Sequence, residues 1–384
     1  MKHFQYLSVK EKEQIFEIQP QEFSKETDRE ELAYALGATL YMPSYQDILG
    51  KLMNKEMNGL TSFVMCFEDA IRVEDVKRGQ ENVKRILASL VSAIQSGTLA
   101  KEEVPLFFVR VRNFVQFQEF SEMLTFEEVQ LLTGFVFPKF DSFSGEHYLE
   151  YLRSLNKRYQ TKLYGLPILE SSTIMHQETR MTELINLKQL LSRYRKYILN
   201  VRVGGTDFSS LFGLRRGIDF TMYDIMVVAD VLKDIQNVLM RSGDGFVVSA
   251  PVWEYFPNQR ILKNNIRVTP FEAKNKLTKR QHIIDKAIDG LIRELILDKA
   301  NGFCGKTIIH PSHISYVNAF QVVTKEEYED ADMILNNSGG GVLKSSSGNK
   351  MNEMNPHMSW AKKILIRAKL YGVVKDNDSY IDLF

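Results

Sequence analysis

Cysteine is scarce in this chain, and long apolar runs and basic tracts are missing from it. Only Cys66 and Cys304 occur among 384 residues, too few for a disulfide framework or a multi-cysteine metal site. No uninterrupted apolar run reaches the roughly 20 residues that a transmembrane helix needs. The first residues, MKHFQYLSVKEKEQ, have no apolar core of the kind found in signal peptides. We therefore expect a soluble, cytoplasmic protein with no membrane partner.

Neither sign of charge dominates the chain. Its 49 lysine and arginine residues face 48 aspartate and glutamate residues, for a formal net charge of +1. Because no net field attracts a polyanion and no basic tract occurs, we expect no nucleic-acid partner. Hydrophobic residues make up 44% of the chain, enough for one large barrel with extensions or for two ordinary domains.

The chain instead has a recurring unit, in which a short apolar segment ends in a polar or turn residue. The eight segments are Ala38–Pro43, Thr61–Asp69, Leu106–Arg112, Gly134–Lys139, Leu163–Glu170, Ile198–Asp207, Gly245–Pro251 and Lys306–Pro311. Most intervals between them are long enough for a helix, such as the stretch 279–299, whose apolar residues follow helical spacing. Eight strand–helix units predict an α/β protein with a (β/α)8 barrel, also called a TIM barrel.

The barrel is expected to occupy residues 36–325. Residues 1–35 are polar and charged with scattered apolar residues, and they predict an N-terminal extension packed on the barrel. Residues 326–384 are predicted as C-terminal helices, interrupted by the Gly- and Ser-rich segment 336–350. A flexible segment of this kind beside an active site predicts a C-terminal helical lid, and a plain linker is the alternative.

Polar residues gather where the predicted strands end, which is the face of a (β/α)8 barrel that carries the chemistry. They are Glu68, Asp69, Arg110, Arg112, Lys139, Glu170, Asp207 and His310. Arg110 and Arg112 alternate with valines, so both are expected on one inward face of the third strand, where each needs a partner. Carboxylates gathered beside arginines indicate a metal-assisted site for an anionic substrate.

Short motifs accompany the predicted strands in a fixed order. They are LYMP (40–43), FEDAI (67–71), FVRVRN (108–113), GFVFPK (134–139), LPILES (166–171), GGTDF (204–208), GFCGKTIIHPSHI (302–314) and MNEMNPH (351–357). In this order they resemble the motifs of the citrate lyase β-subunit-like (HpcH/HpaI aldolase) family of TIM-barrel carbon–carbon bond lyases. Arg112 stands where the family pattern has asparagine, and the chain is similar to a divergent branch associated with bacterial tellurium-resistance and stress operons.

The resemblance implies an Mg2+ site, with Mn2+ as an alternative ion. Glu170 and Asp207 match the family's metal-ligating glutamate and aspartate, and carboxylate oxygens are the ligands that Mg2+ prefers. Arg110 matches the arginine of the family's third strand and is the candidate catalytic residue that stabilises developing negative charge. Glu68 and Asp69 match an acidic pair that would orient metal-bound waters and Arg110. The alternative for each of these residues is a structural ion pair or a helix cap.

The remaining candidates carry weaker signals. Glu353 is the acidic residue nearest to the family's general acid or base, which the C-terminal lid of a neighbouring subunit often supplies. That role would require a homo-oligomer, a trimer or hexamer by resemblance, and the alternative is a solvated surface glutamate. Arg112, Lys139 and His310 are candidates for binding the substrate, with structural pairing as the alternative for Lys139 and His310.

These features predict an Mg2+-dependent carbon–carbon bond lyase of aldolase or Claisen type, working in the cleaving or the condensing direction. Its substrate would be a small acidic metabolite derived from a 2-oxo acid. Many relatives use CoA thioesters, but no feature of this sequence demands CoA. The alternative is a barrel that has lost catalysis and serves as a scaffold or partner in a bacterial stress-response complex.

Overall fold

A computed structural model describes residues 1–54, 56–257, 286–336, 342–345, 348, 351–376 and 379–384. Two predicted features lie partly outside the described residues. They are residues 279–285 of the helix predicted over 279–299 and most of the Gly- and Ser-rich segment 336–350.

Eight parallel strands lie side by side around a barrel, and they are numbered β1–β8 in chain order. Their bounds are Ala38–Pro43, Ser62–Cys66, Leu106–Arg110, Leu132–Phe137, Tyr164–Leu169, Val201–Val203, Val248–Ser249 and Lys306–Ile308. Each strand pairs with the next from β1 to β7, and β8 pairs with β1. An isolated parallel bridge between Ala250, directly after β7, and Lys306 of β8 closes the circle. This arrangement confirms the predicted (β/α)8 fold.

Helices follow the strands and cover the outside of the barrel. Among the described residues between β1 and β8, the α-helices are Leu49–Met53, Val76–Gln95, Phe114–Glu122, Phe126–Leu131, Gly145–Tyr159, Ser172–Met175, Gln177–Arg193, Gly205–Ser210, Met226–Leu239 and Lys286–Ala300. In the helix after β2, Val83, Leu87 and Leu90 recur at three- and four-residue spacing and are buried in the core between helices and sheet. Among the described helices, none combines the length and the apolar character that crossing a bilayer requires.

The interior of the barrel is a packed core that continues into the N-terminal extension. Val64 and Phe108, from β2 and β3, belong to one buried cluster with Phe16 of the extension. The Lys25 ammonium group donates to the carbonyl oxygen of Leu132, the first residue of β4, at 2.8 Å. The extension therefore closes the end of the barrel where the strands begin, and the opposite end, where they finish, remains available for a site.

The C-terminal helices pack at the same end as the extension. Helices Lys325–Asn336 and Met354–Tyr371 lie against each other, and the second contacts helix Arg29–Ala35 of the extension. The Tyr371 hydroxyl donates to the carbonyl oxygen of Tyr34 at 2.7 Å. Within the described residues, the predicted helical lid does not cover the mouth of its own barrel, because its helices are held at the opposite end.

Short strands outside the barrel bring the two ends of the chain together. Phe16–Ile18 pairs antiparallel with Val373–Val374, which pairs parallel with Val323–Thr324. A separate hairpin joins Val342–Lys344 to Met351–Glu353 directly before the last helix. The remaining α-helices are Val9–Ile15 in the extension and Ile314–Ala319 after β8.

Candidate active site

Arg110, the last residue of β3, is the centre of a cluster of charges at the mouth of the barrel. Its Nη2 atom lies 2.6 Å from Glu68 Oε2, 3.1 Å from Glu170 Oε1 and 3.5 Å from Asp69 Oδ2. Arg110 pairs in register with Cys66, the last residue of β2, so residues 68 and 69 emerge beside its guanidinium group. Burial disfavours the charged form of Arg110 and so lowers its pKa. The surrounding acidic groups outweigh this effect, and the net result is a raised pKa. The structure thus brings together four of the predicted site residues.

Glu170 follows β5 directly and is held by the backbone of the neighbouring strand end. The backbone N–H of Lys139 donates to Glu170 Oε1 at 2.8 Å. Lys139 has a φ of +47°, in the left-handed region that non-glycine residues rarely adopt. Such a conformation persists only where the surrounding contacts hold it, and here it aims an N–H group at a carboxylate. The Lys139 side chain extends to Glu68, with Nζ 2.5 Å from Oε1, and adds a second cation at the rim.

A glycine turn after β6 brings Asp207 towards Glu170. Strand β6 ends at Val203 and Asp207 lies in the first turn of helix Gly205–Ser210, so the strand predicted to continue to Asp207 is too long. A Cβ atom on Gly204 would lie 2.3 Å from Glu170 Oε2. Because no real Cβ tolerates that distance, only glycine lets the turn pass this close to the carboxylate.

Two of the clustered carboxyl groups hold their protons more tightly than usual. Burial raises the pKa of Glu170 to about 7, the negative charge of Asp207 acts in the same direction, and Arg110 offsets them only in part. Burial also raises the pKa of Asp69 to about 6, with the neighbouring Glu68 adding to the effect. Burial acts the same way on Glu68, but its contacts with Asp69, Arg110 and Lys139 outweigh it and lower its pKa.

Asp69, Arg110, Glu170 and Asp207 line a cavity of about 470 Å³. Within the described residues, no group of three or more His, Cys, Asp or Glu side chains is arranged to hold a metal ion. Two carboxylates nevertheless suit Mg2+, which keeps several waters in its coordination sphere. A cation at Glu170 and Asp207 would also relieve the repulsion that raises the pKa of Glu170.

Residues 30–373 match the family described as C–C bond lyase of the TIM-barrel fold. The chain belongs to this family. The resemblance carried by the sequence motifs is therefore confirmed at the level of the family, over nearly the whole chain. No curated protein matches the chain in sequence.

Solved structures of a CitE protein, of a citrate lyase β subunit and of a malate synthase are similar to this family member. The CitE protein of Mycobacterium tuberculosis, in complex with magnesium, acetoacetate and coenzyme A, aligns with a TM-score of 0.51 at 15% identity over 88% of this chain and 99% of that one. The citrate lyase β subunit of M. tuberculosis with oxaloacetate and magnesium aligns at 0.45 and 15% identity, over 74% and 96% of the two chains. The magnesium–glyoxylate complex of Haloferax volcanii malate synthase aligns at 0.46 and 12% identity, over 86% and 88%. The first of these alignments supports the shared barrel fold.

Arg112 is engaged by backbone carbonyl groups in this lyase-family barrel. Strand β3 ends at Arg110, so Arg112 lies just beyond the strand whose inward face both arginines were predicted to share. The Arg112 guanidinium donates to the carbonyl oxygens of Phe67, Glu68 and Ile71 at 3.0, 3.3 and 2.9 Å. These contacts fix the loop after β2 that carries the acidic pair. Binding of substrate by Arg112 stays a prediction, and the contacts favour a positioning role.

His310 and Glu353 lie apart from the cluster. The Nδ1 atom of His310 lies 2.7 Å from Ser312 Oγ, and its ring stacks on Phe256 with centroids 4.7 Å apart. Glu353 is exposed on the hairpin strand Met351–Glu353, directly before the last helix. Neither residue is among the described residues that line the cavity. Their predicted roles in substrate binding and proton transfer stay predictions, and that of Glu353 requires a second subunit.

Sequence reasoning missed two residues that also line the cavity, Arg202 and Tyr41. Arg202 is 1% exposed and stands between Val201 and Val203 in β6. An arginine inside a run of buried β-branched residues is the signal that could have identified it, and the same signal singled out Arg110. Tyr41 carries no comparable signal, because a tyrosine in a barrel strand is ordinary.

Proposed function

We propose that this protein is an Mg2+-dependent carbon–carbon bond lyase that acts, by aldolase or Claisen-type chemistry, on a small acidic metabolite derived from a 2-oxo acid. The observation that carries the proposal is the convergence of Arg110, Glu170 and Asp207 on one cavity. That cavity lies at the end of the barrel where this fold places its active sites. Membership of the family supplies the class of reaction.

Glu170 and Asp207 would hold the ion, Mg2+ or in its place Mn2+. When bound, the ion supplies a Lewis acid that polarises the keto oxygen of a chelating 2-oxo acid. The CitE protein of M. tuberculosis was crystallised with magnesium and a keto acid, acetoacetate. Acetoacetate is a 3-oxo acid, so we extend to this chain only the pairing of Mg2+ with an oxo acid, as part of the proposal.

Arg110 would stabilise the negative charge that develops as the carbon–carbon bond breaks. In the cleaving direction, the electron pair of that bond moves towards the neighbouring carbonyl group, whose oxygen becomes negative. A fixed cation at that position stabilises the transition state more than the ground state. Glu68 and Glu170 hold the guanidinium group in place at 2.6 and 3.1 Å, so little reorganisation is needed during the reaction.

Proton transfer to the carbon fragment is assigned to Glu353, which lies outside this cluster. Glu353 is exposed on the hairpin strand Met351–Glu353, and in this proposal it acts at the mouth of a neighbouring copy. The role requires a homo-oligomer, and the family resemblance favours a trimer or hexamer. CoA thioesters belong among the substrates to be screened, because the CitE complex contains coenzyme A.

Binding of Mg2+ to the folded protein tests the metal site and separates the enzyme from an inactive scaffold. An ion that binds only the folded state stabilises it by about 2.7 kcal/mol at 100 times its Kd, so Mg2+ should raise the Tm of the wild-type protein. Asp207→Asn should lose most of the rise, whereas Glu119→Gln, at an exposed position of helix Phe114–Glu122, should keep it. No rise in the wild-type protein would contradict the metal site and favour the scaffold.

Turnover tests the reaction class itself. The purified protein with Mg2+ is screened against thioesters and sugar acids whose cleavage releases a 2-oxo acid. Product formation that requires both Mg2+ and Arg110 is the expected result. Product formation that persists after removal of the ion would contradict the proposed chemistry.

A further inference from the structure

Arg202 is a buried cation with no acidic partner in the described part of the chain. It lies in the middle of β6, is 1% exposed, and donates from Nε to Thr307 Oγ1 at 3.2 Å. Neither Nη1 nor Nη2 has a hydrogen-bond partner among the described residues. The guanidinium carbon lies 5.6 Å from the centroid of the Tyr41 ring. An aromatic face attracts a cation, but it leaves the N–H groups of both Nη atoms unsatisfied.

The Tyr41 hydroxyl group is in the same situation. It is buried and has no hydrogen-bond partner among the residues that the structure describes. Burial raises the pKa of Tyr41, so the hydroxyl remains protonated and able to donate. Tyr41 and Arg202 both line the cavity that Glu170 and Asp207 line. One cavity thus contains two neighbouring buried donors that interact with each other, and neither has an anionic partner among the described residues.

A paired arginine elsewhere in the chain shows the contrast. Arg180 is also buried, but its Nη1 atom lies 2.5 Å from Asp230 Oδ2 and 2.8 Å from Asp234 Oδ2. Burial lowers the pKa of Arg202, and Tyr41 offsets only part of that effect. A buried charge without a partner destabilises the folded state strongly. Its presence beside a cavity therefore indicates that a ligand in the cavity supplies the opposite charge.

We propose that Arg202 and the Tyr41 hydroxyl bind a second anionic group of the substrate, a carboxylate or a phosphate. The inference rests on the proposed function, in which the first anionic group is the 2-oxo acid at Glu170 and Asp207. A guanidinium group presents parallel N–H donors in a planar fork that matches the oxygens of both kinds of anion. The substrate class is therefore a 2-oxo acid that carries a second anion at its far end.

Three 2-oxo acids that differ at the far end test the proposal. 2-Oxobutyrate ends in a methyl group, oxaloacetate in a carboxylate and 3-phosphohydroxypyruvate in a phosphate ester. In calorimetric titrations with Mg2+, the wild-type protein should bind one of the two acids that carry a second anionic group at least about tenfold more tightly than 2-oxobutyrate, as charge-assisted hydrogen bonds typically provide. The tighter of the two distinguishes a carboxylate site from a phosphate site. Equal affinities for all three acids would overturn the proposal.

Substitution of Arg202 separates a ligand-binding role from a structural one. In Arg202→Met, the affinity for the preferred acid should fall to that for 2-oxobutyrate, while the affinity for 2-oxobutyrate stays unchanged. Arg202→Lys should keep part of the preference. Without ligand, Arg202→Met should have a Tm at or above that of the wild type, whereas Arg180→Met should lower it. A lower Tm for Arg202→Met with equal losses for all three acids would show a structural role.

Titrations without metal keep this inference separable from the proposed function. Malonate and inorganic phosphate carry no keto group, so their binding to Arg202 does not require Mg2+. Binding of either anion that is lost in Arg202→Met would uphold the anion site even where Mg2+-dependent binding of the 2-oxo acids fails. That pattern would count against the lyase proposal alone. Failure of all the titrations would overturn both.

Discussion

Two groups of buried charges in this molecule differ in how completely they are paired. The first lies between helix Lys286–Ala300 and β8, away from the cavity. There Lys306 Nζ is 2.8 Å from Glu294 Oε1 and 2.8 Å from Asp298 Oδ2. Arg216 Nη1 occupies the other oxygen of Glu294 at 2.5 Å. Each acid of this group has a cation within hydrogen-bond distance.

The second group lies at the mouth of the barrel, and its charges do not balance locally. Glu170 is close enough to Asp207 for the two negative charges to repel each other, and Arg202 faces no acid among the described residues. Glu170 and Arg202 are as deeply buried as the charges of the first group, so burial alone does not separate a structural charge from a functional one. The two groups differ in what supplies the opposite charge, which is the protein itself in the first and a ligand in the second. A buried charge that has no partner within the protein therefore indicates a functional site.

The largest effect is expected from breaking the paired group. Lys306→Met leaves Glu294 and Asp298 without the ammonium group between them, and loss of one partner from a buried pair typically costs about 3–5 kcal/mol. Urea denaturation measures the free energy of unfolding. Lys233→Met, which breaks an exposed pair with Asp230, is the control and should cost less than about 1 kcal/mol. A loss no larger than that of the control would show that pairing contributes little here.

Removal of charge at the mouth should stop catalysis and leave the fold intact. Glu170→Gln keeps the size of the side chain but loses the charge that would hold Mg2+, and Arg110→Ala loses the cation beside it. Each should lower kcat/KM at least 100- to 1,000-fold, about the cost of one transition-state donor. The Tm of Glu170→Gln should remain close to that of the wild type, whereas Arg110→Ala should fold with a lower Tm, because Glu68 and Glu170 lose their buried cation. Retained turnover in either variant would remove that residue from the catalytic set.

The pH should change metal affinity and stability in opposite directions. Burial raises the pKa of Glu170 from 4.5 to about 7. Between these values the folded protein holds more protons than the unfolded chain, so the metal-free protein loses stability as the pH rises towards 7. Mg2+ needs the ionised carboxylate, so its affinity should increase by up to about tenfold per pH unit and level off above 7. Calorimetric titrations with Mg2+ from pH 5 to 8 measure the affinity at each pH. If the Mg2+ affinity of Glu170→Gln rose equally steeply with pH, the pH dependence would belong to another group.

The smallest effect is expected from adding a single methyl group next to Glu170. Gly204→Ala places a Cβ atom 2.3 Å from Glu170 Oε2 and must displace the carboxylate. We expect about a tenfold loss of Mg2+ affinity in a calorimetric titration, at the lower end of the range for residues that orient ligands. Gly50→Ala is the matched control, because a Cβ there meets nothing within 4 Å. Unchanged affinity in Gly204→Ala would place the ion elsewhere.

The barrel could be predicted from the sequence, but the ends of its strands could not. Parallel strands covered on both faces appear as continuous apolar runs, and β2 is buried at every position. A continuous apolar run does not show at which residue the strand ends. Phe67 continues the apolar run of β2 although the strand ends at Cys66. Strand β6 ends at Val203, and Asp207 lies in the helix that follows it.

The site could be predicted to the extent that it depends on strand order. Glu68, Arg110 and Glu170 meet because neighbouring parallel strands end at one face, and the motifs supplied the residues. The contacts of Arg112 depend on the point at which β3 ends, which local patterns do not encode. The position of Glu353 depends on the packing of the last helix against the extension, which joins parts of the chain that are far apart in sequence.

The outer sheet that pairs Phe16 with Val374 has a consequence for biosynthesis. During translation, residues 16–18 have no partner strand until residue 374 has left the ribosome. Phe16 belongs to the core that seals the base of the barrel, so a nascent chain exposes that apolar surface for most of its synthesis. Pairings of such sequence separation also form slowly. Newly made chains should therefore be vulnerable to aggregation and should benefit from chaperones until the last strand is in place.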